Sequence, residues 1–451
     1  MTCKFDFRRL LSLVWVILMF TTTNVHTQTK VILDTDPGYD PDDVGCMAML
    51  HTMANLGECE ILAMMNCTDH KESPLALSAI NTFYNRPAIP IGDYRGYKKK
   101  IDAPTAFYSH HLAEAYPRTL EKWDDSNDAV RLYREILASA DEASITIVII
   151  GTMHNFYALL RSESCTYSDL SGVELVREKV EKVVTMGGNF MAGQGHDRTN
   201  WGGSDMLCSY TSWSCLDEDR NAMCRYVIEN CPAPFIASGW EVGCGDYHDA
   251  GYGTVVTGPG LKELPENHIT RVSYEYHFKH RENKTDISRH SNDQCALHYA
   301  IRGEGKNYTA FLDGSIDLSE HGECQWSQKP NKGQGYIQKK RVIQLIAAEI
   351  ETLMMGTTPE PDNTPPSIPE RIRYSIDGDK LLVEWDPSYD DTPGSWVVAY
   401  RISHNNTLLF TAYGHQWITD SMEPGKYELE VRAVNASGTL SDPGFIQVVI
   451  R

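Results

Sequence analysis

The sequence predicts an α/β fold with a mostly parallel central sheet flanked by helices, followed by a C-terminal all-β sandwich. Three observations lead there. From Lys30 to Gly356, apolar runs ("KVILDTD", "CEILAMMNCT", "SITIVIIG", "KVVTMGGNF") alternate with helix-compatible stretches ("DDVGCMAMLHTMANLG", "SPLALSAINTFYN", "DAVRLYREILASA", "MHNFYALLRS"). Short buried strands separated by helices imply parallel pairing through right-handed crossovers. Next, "GTTPEPDNTPPSIPE" at 356–370 holds five prolines and few apolar residues, the composition of a linker. Beyond Pro365 the helical signals stop and short alternating strands run to Arg451. The expected organisation is therefore an N-terminal signal at 1–27, a main domain at 28–356, a proline-rich linker at 357–364 and a β domain at 365–451.

Taken in order, the chain begins with Lys4, Arg8 and Arg9 ahead of an apolar run from Leu10 to Phe20, "LLSLVWVILMF". That is short for a membrane span but right for a secretory signal, with Val25 and Thr27 small enough for a cleavage site after Thr27. No second segment is long and apolar enough to span a membrane. A secreted, extracellular protein is expected. The net charge of −20 argues against nucleic acid and anionic membrane surfaces as partners, since both need basic patches. Of twelve cysteines, eleven remain once Cys3 leaves with the signal. An odd number in an exported chain implies some disulfides and an unpaired or intermolecular thiol. Cys208, Cys215, Cys224 and Cys231 are close enough for local bridges. N-x-S/T sequons fall at Asn66, Asn283, Asn307, Asn405 and Asn435. Asn66 follows a buried-looking strand; the other four are expected at the surface as glycosylation sites.

The first strand runs into "VILDTDPGYDPDDVGCMAML" at 31–50, with carboxylates at Asp34, Asp36, Asp40, Asp42 and Asp43. So many cannot all stay ionised close together unless a cation joins them. Hard oxygen donors suit Ca2+ or Mg2+. An EF-hand fits poorly, with Tyr39 where its loop needs glycine and Gly45 where it needs glutamate. The haloacid-dehalogenase pattern departs at Gly38. A capped helix N-terminus accounts for Asp42 or Asp43, but not for all five. In parallel sheets the site lies beyond the carboxyl ends of the strands, where this cluster falls.

The segment D-T-D-P-G-Y-D-P-D-D resembles the signature of the inosine–uridine-preferring nucleoside hydrolase superfamily, in its D-T-D-x-G-x-D-x-D-D variant. The resemblance continues in order through "ITIVIIGTMHNFYALL", "VEKVVTMGGNF", "NWGGSD", "PFIASGWEVG" and "SNDQCALHYAI". It implies a nucleoside hydrolase-like fold and a Ca2+ cofactor held by Asp36, Asp43, Asp293 and the carbonyl of Ile150. It also implies that Asp36 is the general base toward a metal-bound water, that Asp42 holds ribose hydroxyls and that Asn200 lies beside the sugar. Asp40 is the extra acid of the longer loop, either a metal ligand or a group beside the ligands. Two positions depart from the pattern. Asn292 stands where some members carry a histidine acid, and Arg198 stands near the position of a sugar-binding glutamate, with Asp197 and Asn189 as nearby substitutes. His70, His154, His196, His248 and His298 are candidate acids. Trp201 and Trp240 either stack on a base or belong to the core.

The tail resembles a fibronectin type III domain. Trp385 lies in "KLLVEWDPS"; in "YELEVRAVNASG", Tyr427 precedes Leu429, Val431 and Ala433, which alternate inward. The expected function is a secreted, Ca2+-dependent hydrolase releasing base and ribose from nucleosides. The alternatives are a weakly catalytic or non-catalytic binding or adhesion protein on the same scaffold, and a hydrolase of another ribosyl or glycosyl compound. The expected partner is a small-molecule nucleoside. A protein or glycan partner for the tail, and a homo-oligomer, are left open.

Overall fold

The computed structural model describes residues 28–38, 40–190, 200–202, 220–245, 253–356, 363–377, 380–390, 397–412, 415–419, 422–435 and 439–450. The expected signal at 1–27, most of the linker (357–362), Cys208, Cys215, His196, Asp197, Arg198 and His248 lie outside them.

The strands are β1 Thr29–Thr35, β2 Cys59–Asn66, β3 Ile91–Asp93, β4 Asn127–Asp128, β5 Ile145–Ile149, β6 Val180–Met186, β7 Phe235–Ser238, β8 Val256–Thr257, β9 Arg289–His290, β10 Tyr308–Leu318, β11 Cys324–Ser327 and β12 Gln334–Lys339. Ten of these form one sheet in the order β11-β10-β12-β7-β6-β5-β1-β2-β3-β4, while β8 and β9 pair separately. From β12 to β4 every pairing is parallel; β10 and β11 run antiparallel at one edge. The chain lays β1 to β4 outward in one direction, then returns to place β5 on the other side of β1. The β1/β5 junction is therefore a topological switch point, where diverging connections leave a crevice.

The helices are α1 Asp42–Asn55, α2 Glu72–Phe83, α3 Tyr108–Ala115, α4 Ala129–Ser139, α5 His154–Leu160, α6 Gly172–Lys179, α7 Arg220–Asn230, α8 Trp240–Gly243, α9 Ile269–Arg281, α10 Asn292–Arg302 and α11 Ile343–Met354. They cover both faces of the sheet. Along β1, Val31 and Leu33 join one core with α1, α2, α10 and α11, while Ile32 joins the other with α4, α5 and α7. This is the period-2 division of a strand buried on both sides. α1 is itself central, buried from Asp42 to Met53. Its apolar residues, Val44 to Leu50 and Met53, are buried on every side, as in a helix that lies inside the fold. Gly45 permits its tight crossing, since a Cβ there would meet the Tyr274 hydroxyl at 2.5 Å and Gln294 at 2.6 Å.

The C-terminal residues form a three-stranded antiparallel sheet, β13-β14-β17, and a four-stranded one, β16-β15-β18-β19. These strands are β13 Arg373–Asp377, β14 Lys380–Glu384, β15 Val397–His404, β16 Thr407–Ala412, β17 Gln416–Thr419, β18 Gly425–Asn435 and β19 Gly444–Ile450. Trp385, Tyr400, Leu429, Val431 and Ala433 share one core, so the inward alternation expected from sequence is present.

Two expectations are corrected. No disulfide joins any two described cysteines, the nearby Cys224 and Cys231 included. The Cys231 thiol donates instead to the carbonyl of Ala233, and Cys224 to that of Asn200. Of the sequons expected at the surface, Asn283 and Asn405 are exposed, but Asn307 is 2% and Asn435 0% exposed. Their amides are used internally. Asn307 donates to Glu349 at 3.2 Å, and Asn435 donates to the carbonyl of Thr364 at 3.1 Å.

Glu349 is the hub that buries Asn307. It accepts from Arg302 at 2.7 Å and Arg341 at 2.8 Å, and meets His298 at 3.3 Å, tying α10 and α11 to the turn before β10. Burial alone would raise this carboxyl, but His298, Lys306 and Asn307 outweigh it and hold it below the usual range. Its stabilising contribution is therefore complete above pH 4.5, the ordinary glutamate value, and is lost as pH falls through the folded-state value. Glu349→Gln should cost about 2–3 kcal/mol by leaving two guanidiniums short of a partner. Chemical denaturation across pH 3–7 should show a flatter acid limb in the variant than in the parent.

Candidate functional site

The carboxylates meet at the β1/β5 switch point. β1 ends at Thr35, and Asp36, Pro37 and Gly38 turn the chain toward α1. Gly38 has φ +128°, and a Cβ there would strike the Ser109 hydroxyl at 2.4 Å, so the turn demands glycine. Pro41 precedes the helix, and Asp42 and Asp43 occupy its first turn, where the positive end of the macrodipole favours acids. Asp43 Oδ1 accepts from the Thr35 hydroxyl and, at 3.2 Å, from the backbone N–H of Asp36. These bonds lock the helix start onto the strand end.

Asp293 arrives from the other end of the domain. It is the second residue of α10 and 5% exposed, and its charge is felt by Asp36, Asp40, Asp42 and Asp43 together. The Cys46 thiol on α1 reaches the Asp293 carbonyl at 3.6 Å. Beside β5, the Ile150–Gly151 backbone lies against Asp36; a Cβ on Gly151 would be 2.8 Å from Asp36 Oδ1. The Ile150 carbonyl accepts from Asn200 Nδ2 at 2.6 Å. Thus Asp36, Asp40, Asp42, Asp43, Asp293, Ile150 and Asn200 are gathered around one crevice.

Asp34 is not part of the cluster. It is fully buried, accepting from Asn155 at 3.0 Å and Tyr133 at 3.1 Å, and joins β1 to α4 and α5. Burial pushes its pKa up to about 7.

The cluster's electrostatics are set by a shortage of positive charge. Burial, then Asp40 and Asp42, push Asp36 up to about 8. Asp42, Asp43 and Asp293 are raised well above the carboxylate range, first by burial and then by a neighbouring carboxylate: Asp40 on Asp42, Asp36 on Asp43 and Asp42 on Asp293. Two cations offset part of this. Arg220, opening α7, draws Asp36 down. Arg289 on β9 pairs with Asp40 at 2.5 Å and holds that carboxyl low despite its burial. Among the described residues no three Asp, Glu, His or Cys side chains form a finished ligand set. The donors are nonetheless all hard oxygens, and Asp42 Oδ1 is buried without a hydrogen-bond partner. This chemistry fits a hard divalent cation.

The candidate acids are dispersed. His298 is engaged at the Glu349 hub. His70 is buried against Asp69 and Phe107. His154 opens α5 with its Nδ1 on the Thr152 hydroxyl and its ring beside Tyr94 and Tyr97; burial lowers it to about 3, so it is neutral near pH 7. Trp201 is core, whereas Trp240 is half-buried and stands edge-on to His290 at 5.3 Å. Sequence reasoning missed His290 and Arg289. Each feels the charge of Asp40, and "SRHSND" offered no signal beyond nearness to Asp293.

Solved structures share the scaffold. A plant nucleoside hydrolase matches at a TM-score of 0.51 and 14% identity, over 72% of this chain and 99% of that one. A purine-preferring ribonucleoside hydrolase from Gardnerella vaginalis matches at 0.51 and 14%, over 72% and 98%. An inosine-guanosine nucleoside hydrolase matches at 0.50 and 15%, over 72% and 98%. At these identities the likeness establishes the fold. No protein-family model and no curated protein matches the chain.

The raised Asp36 value gives a prediction with a definite sign. A carboxyl titrating at about 8 in the fold, against 3.8 ordinarily, binds its proton more tightly folded than unfolded. In chelator, stability should therefore fall as pH rises from 5 to 8. Added Ca2+ should reverse the loss, raising Tm more at pH 8 than at pH 6. A chelated protein whose Tm climbs across that range would contradict this account of the cluster.

Proposed function

We propose that this protein hydrolyses the N-glycosidic bond of ribonucleosides, using a bound divalent cation, Ca2+. The observation that carries the reading is the convergence of Asp36, Asp43 and Asp293 at the switch point of a nucleoside hydrolase-like scaffold. Asp36, Asp43, Asp293 and the Ile150 carbonyl would hold the ion, while Asp42 and Asn200 face the sugar. When bound, the ion would supply a Lewis acid that acidifies the attacking water and grips vicinal hydroxyls.

In the reaction the bond from C1′ to the base nitrogen breaks, its electron pair leaving with that nitrogen, which gains a proton from solvent, and a bond from C1′ to the water oxygen forms. Asp36 takes the water's proton. Positive charge develops at C1′ and the ring oxygen, and the surrounding carboxylates favour it more than the neutral ground state. The same reading makes the protein exported, with residues 1–27 removed and the exposed Asn283 and Asn405 open to glycosylation. The two C-terminal sheets are read as a fibronectin type III-like domain that takes no part in the chemistry.

The test is release of free base and ribose from purine and pyrimidine nucleosides, with and without chelator. Asp36→Asn keeps the size and one oxygen but removes the basicity, so kcat should fall about 10²- to 10⁴-fold. Turnover by Asp36→Asn within a few-fold of the parent would exclude the proposed base. A chain ended at Thr358 should retain Ca2+ binding and turnover in the same assay; loss of both would mean that the C-terminal sheets complete the site.

A further inference from the structure

Arg289 carries an unused donor. Its Nη2 is bonded to Asp40 at 2.5 Å, yet its Nε is buried with no hydrogen-bond partner. Facing it, Asp42 Oδ1 is likewise buried and unpartnered. The two atoms are 3.7 Å apart, too long for a direct hydrogen bond. Side-chain exposures are 19% and 5%, so little water reaches either atom. A donor and an acceptor left opposed at this distance would each cost stability unless a third polar group completes them. One oxygen set off the line between them can accept from Nε and donate to Oδ1 at ordinary hydrogen-bond lengths. A hydroxyl is the group that can do both.

The surroundings hold this gap open. Asp40 fixes the guanidinium by its other end, and the β8–β9 pairing of Thr257 with Arg289 fixes its backbone. Asp42 is fixed by its place in the first turn of α1.

We propose that Arg289 and Asp42 form a clamp for one hydroxyl of the substrate sugar, with Arg289 donating through Nε and Asp42 accepting. This rests on the ribonucleoside reading given above and adds a specificity-determining residue to it. Asp40 then serves the clamp: it orients Arg289 and offsets its charge. The guanidinium fork suits this task, because it can hold Asp40 with one nitrogen and present Nε with another. Lysine, a single point charge, cannot do both.

Arg289→Lys keeps the charge beside Asp40 and removes Nε. Steady-state kinetics on a ribonucleoside and its 2′-deoxy and 3′-deoxy analogues would read the clamp directly. Against one of the two analogues, the variant should lose on the order of 10- to 100-fold of the parent's preference for the ribonucleoside, the usual weight of a hydrogen bond to a charged group. Equal losses on all three substrates, or none, would overturn the clamp and leave Arg289 a structural ion pair. Calorimetric titration of D-ribose in Ca2+ separates this from failure of the hydrolase reading. A parent that turns over no nucleoside but binds ribose, with the variant binding at least tenfold more weakly, defeats hydrolysis and keeps the clamp. A parent that hydrolyses nucleosides and a variant with unchanged discrimination and ribose affinity defeats the clamp alone.

Discussion

Mutual repulsion among buried carboxylates is the constraint around which the main domain is organised. Asp36, Asp40, Asp42, Asp43 and Asp293 are brought within one crevice from two ends of the sequence, and each raises the cost of ionising its neighbours. A fold does not gather such groups for stability. It tolerates them because rigid elements leave them nowhere else to go. Asp43 is bonded to the strand end through Thr35, Asp42 lies in the first turn of α1, and Asp293 in that of α10. α1 is buried along nearly its whole length, so its N-terminus cannot swing outward to relieve the charge. Strain of this kind, concentrated at a switch point, marks a place where binding energy is to be used.

What relieves the repulsion decides what the crevice can do. Arg289 neutralises Asp40 and is shared only at longer range with Asp42. Arg220 acts on Asp36. Two guanidiniums do not balance five acids, and Asp43 and Asp293 stay raised well above the carboxylate range. The arginines thereby divide the cluster into acids already paired and acids still in need of a partner. Asp40, the extra acid of the loop, belongs to the first set, and this is the physical content that sequence comparison could not give it.

How much of this was legible in the sequence follows from the range of the interactions. β1, β2, β5 and β6 were readable because strands buried on both faces are rich in aliphatic and β-branched residues, and α1 was readable as the helix-compatible run that follows Pro41. The site's location was legible from a local fact, five aspartates at a strand end. Asp34 was misjudged as one of them because alternation along β1, not proximity in sequence, turns its side chain toward Tyr133 and Asn155. Asn307 and Asn435 looked like surface sequons for a similar reason. Their flanks are polar, but the polarity is spent on an internal network with Glu349 and on a backbone bond to Thr364. Arg289 was invisible, since its partner is 249 residues away and only β8–β9 pairing brings it there.

Asn292, which departs from the family pattern, and Arg289 bear on each other. Asn292 opens α10 next to Asp293 and is 3% exposed; its amide cannot ionise, so a proton donor is absent from the position where the resemblance places one. Substituting an ionisable group there would add charge to a region whose balance already depends on Arg289. His290 stands close by, felt by Asp40 and Arg289, and burial together with that guanidinium lowers it to about 4, which keeps it neutral near pH 7. A guanidinium four residues before Asp293 therefore suppresses imidazolium character around it. For the hydrolysis proposed above, neither Asn292 nor His290 carries a charge that would assist a leaving group near pH 7, so the burden would fall on the sugar side, at Asp36 and Asp42.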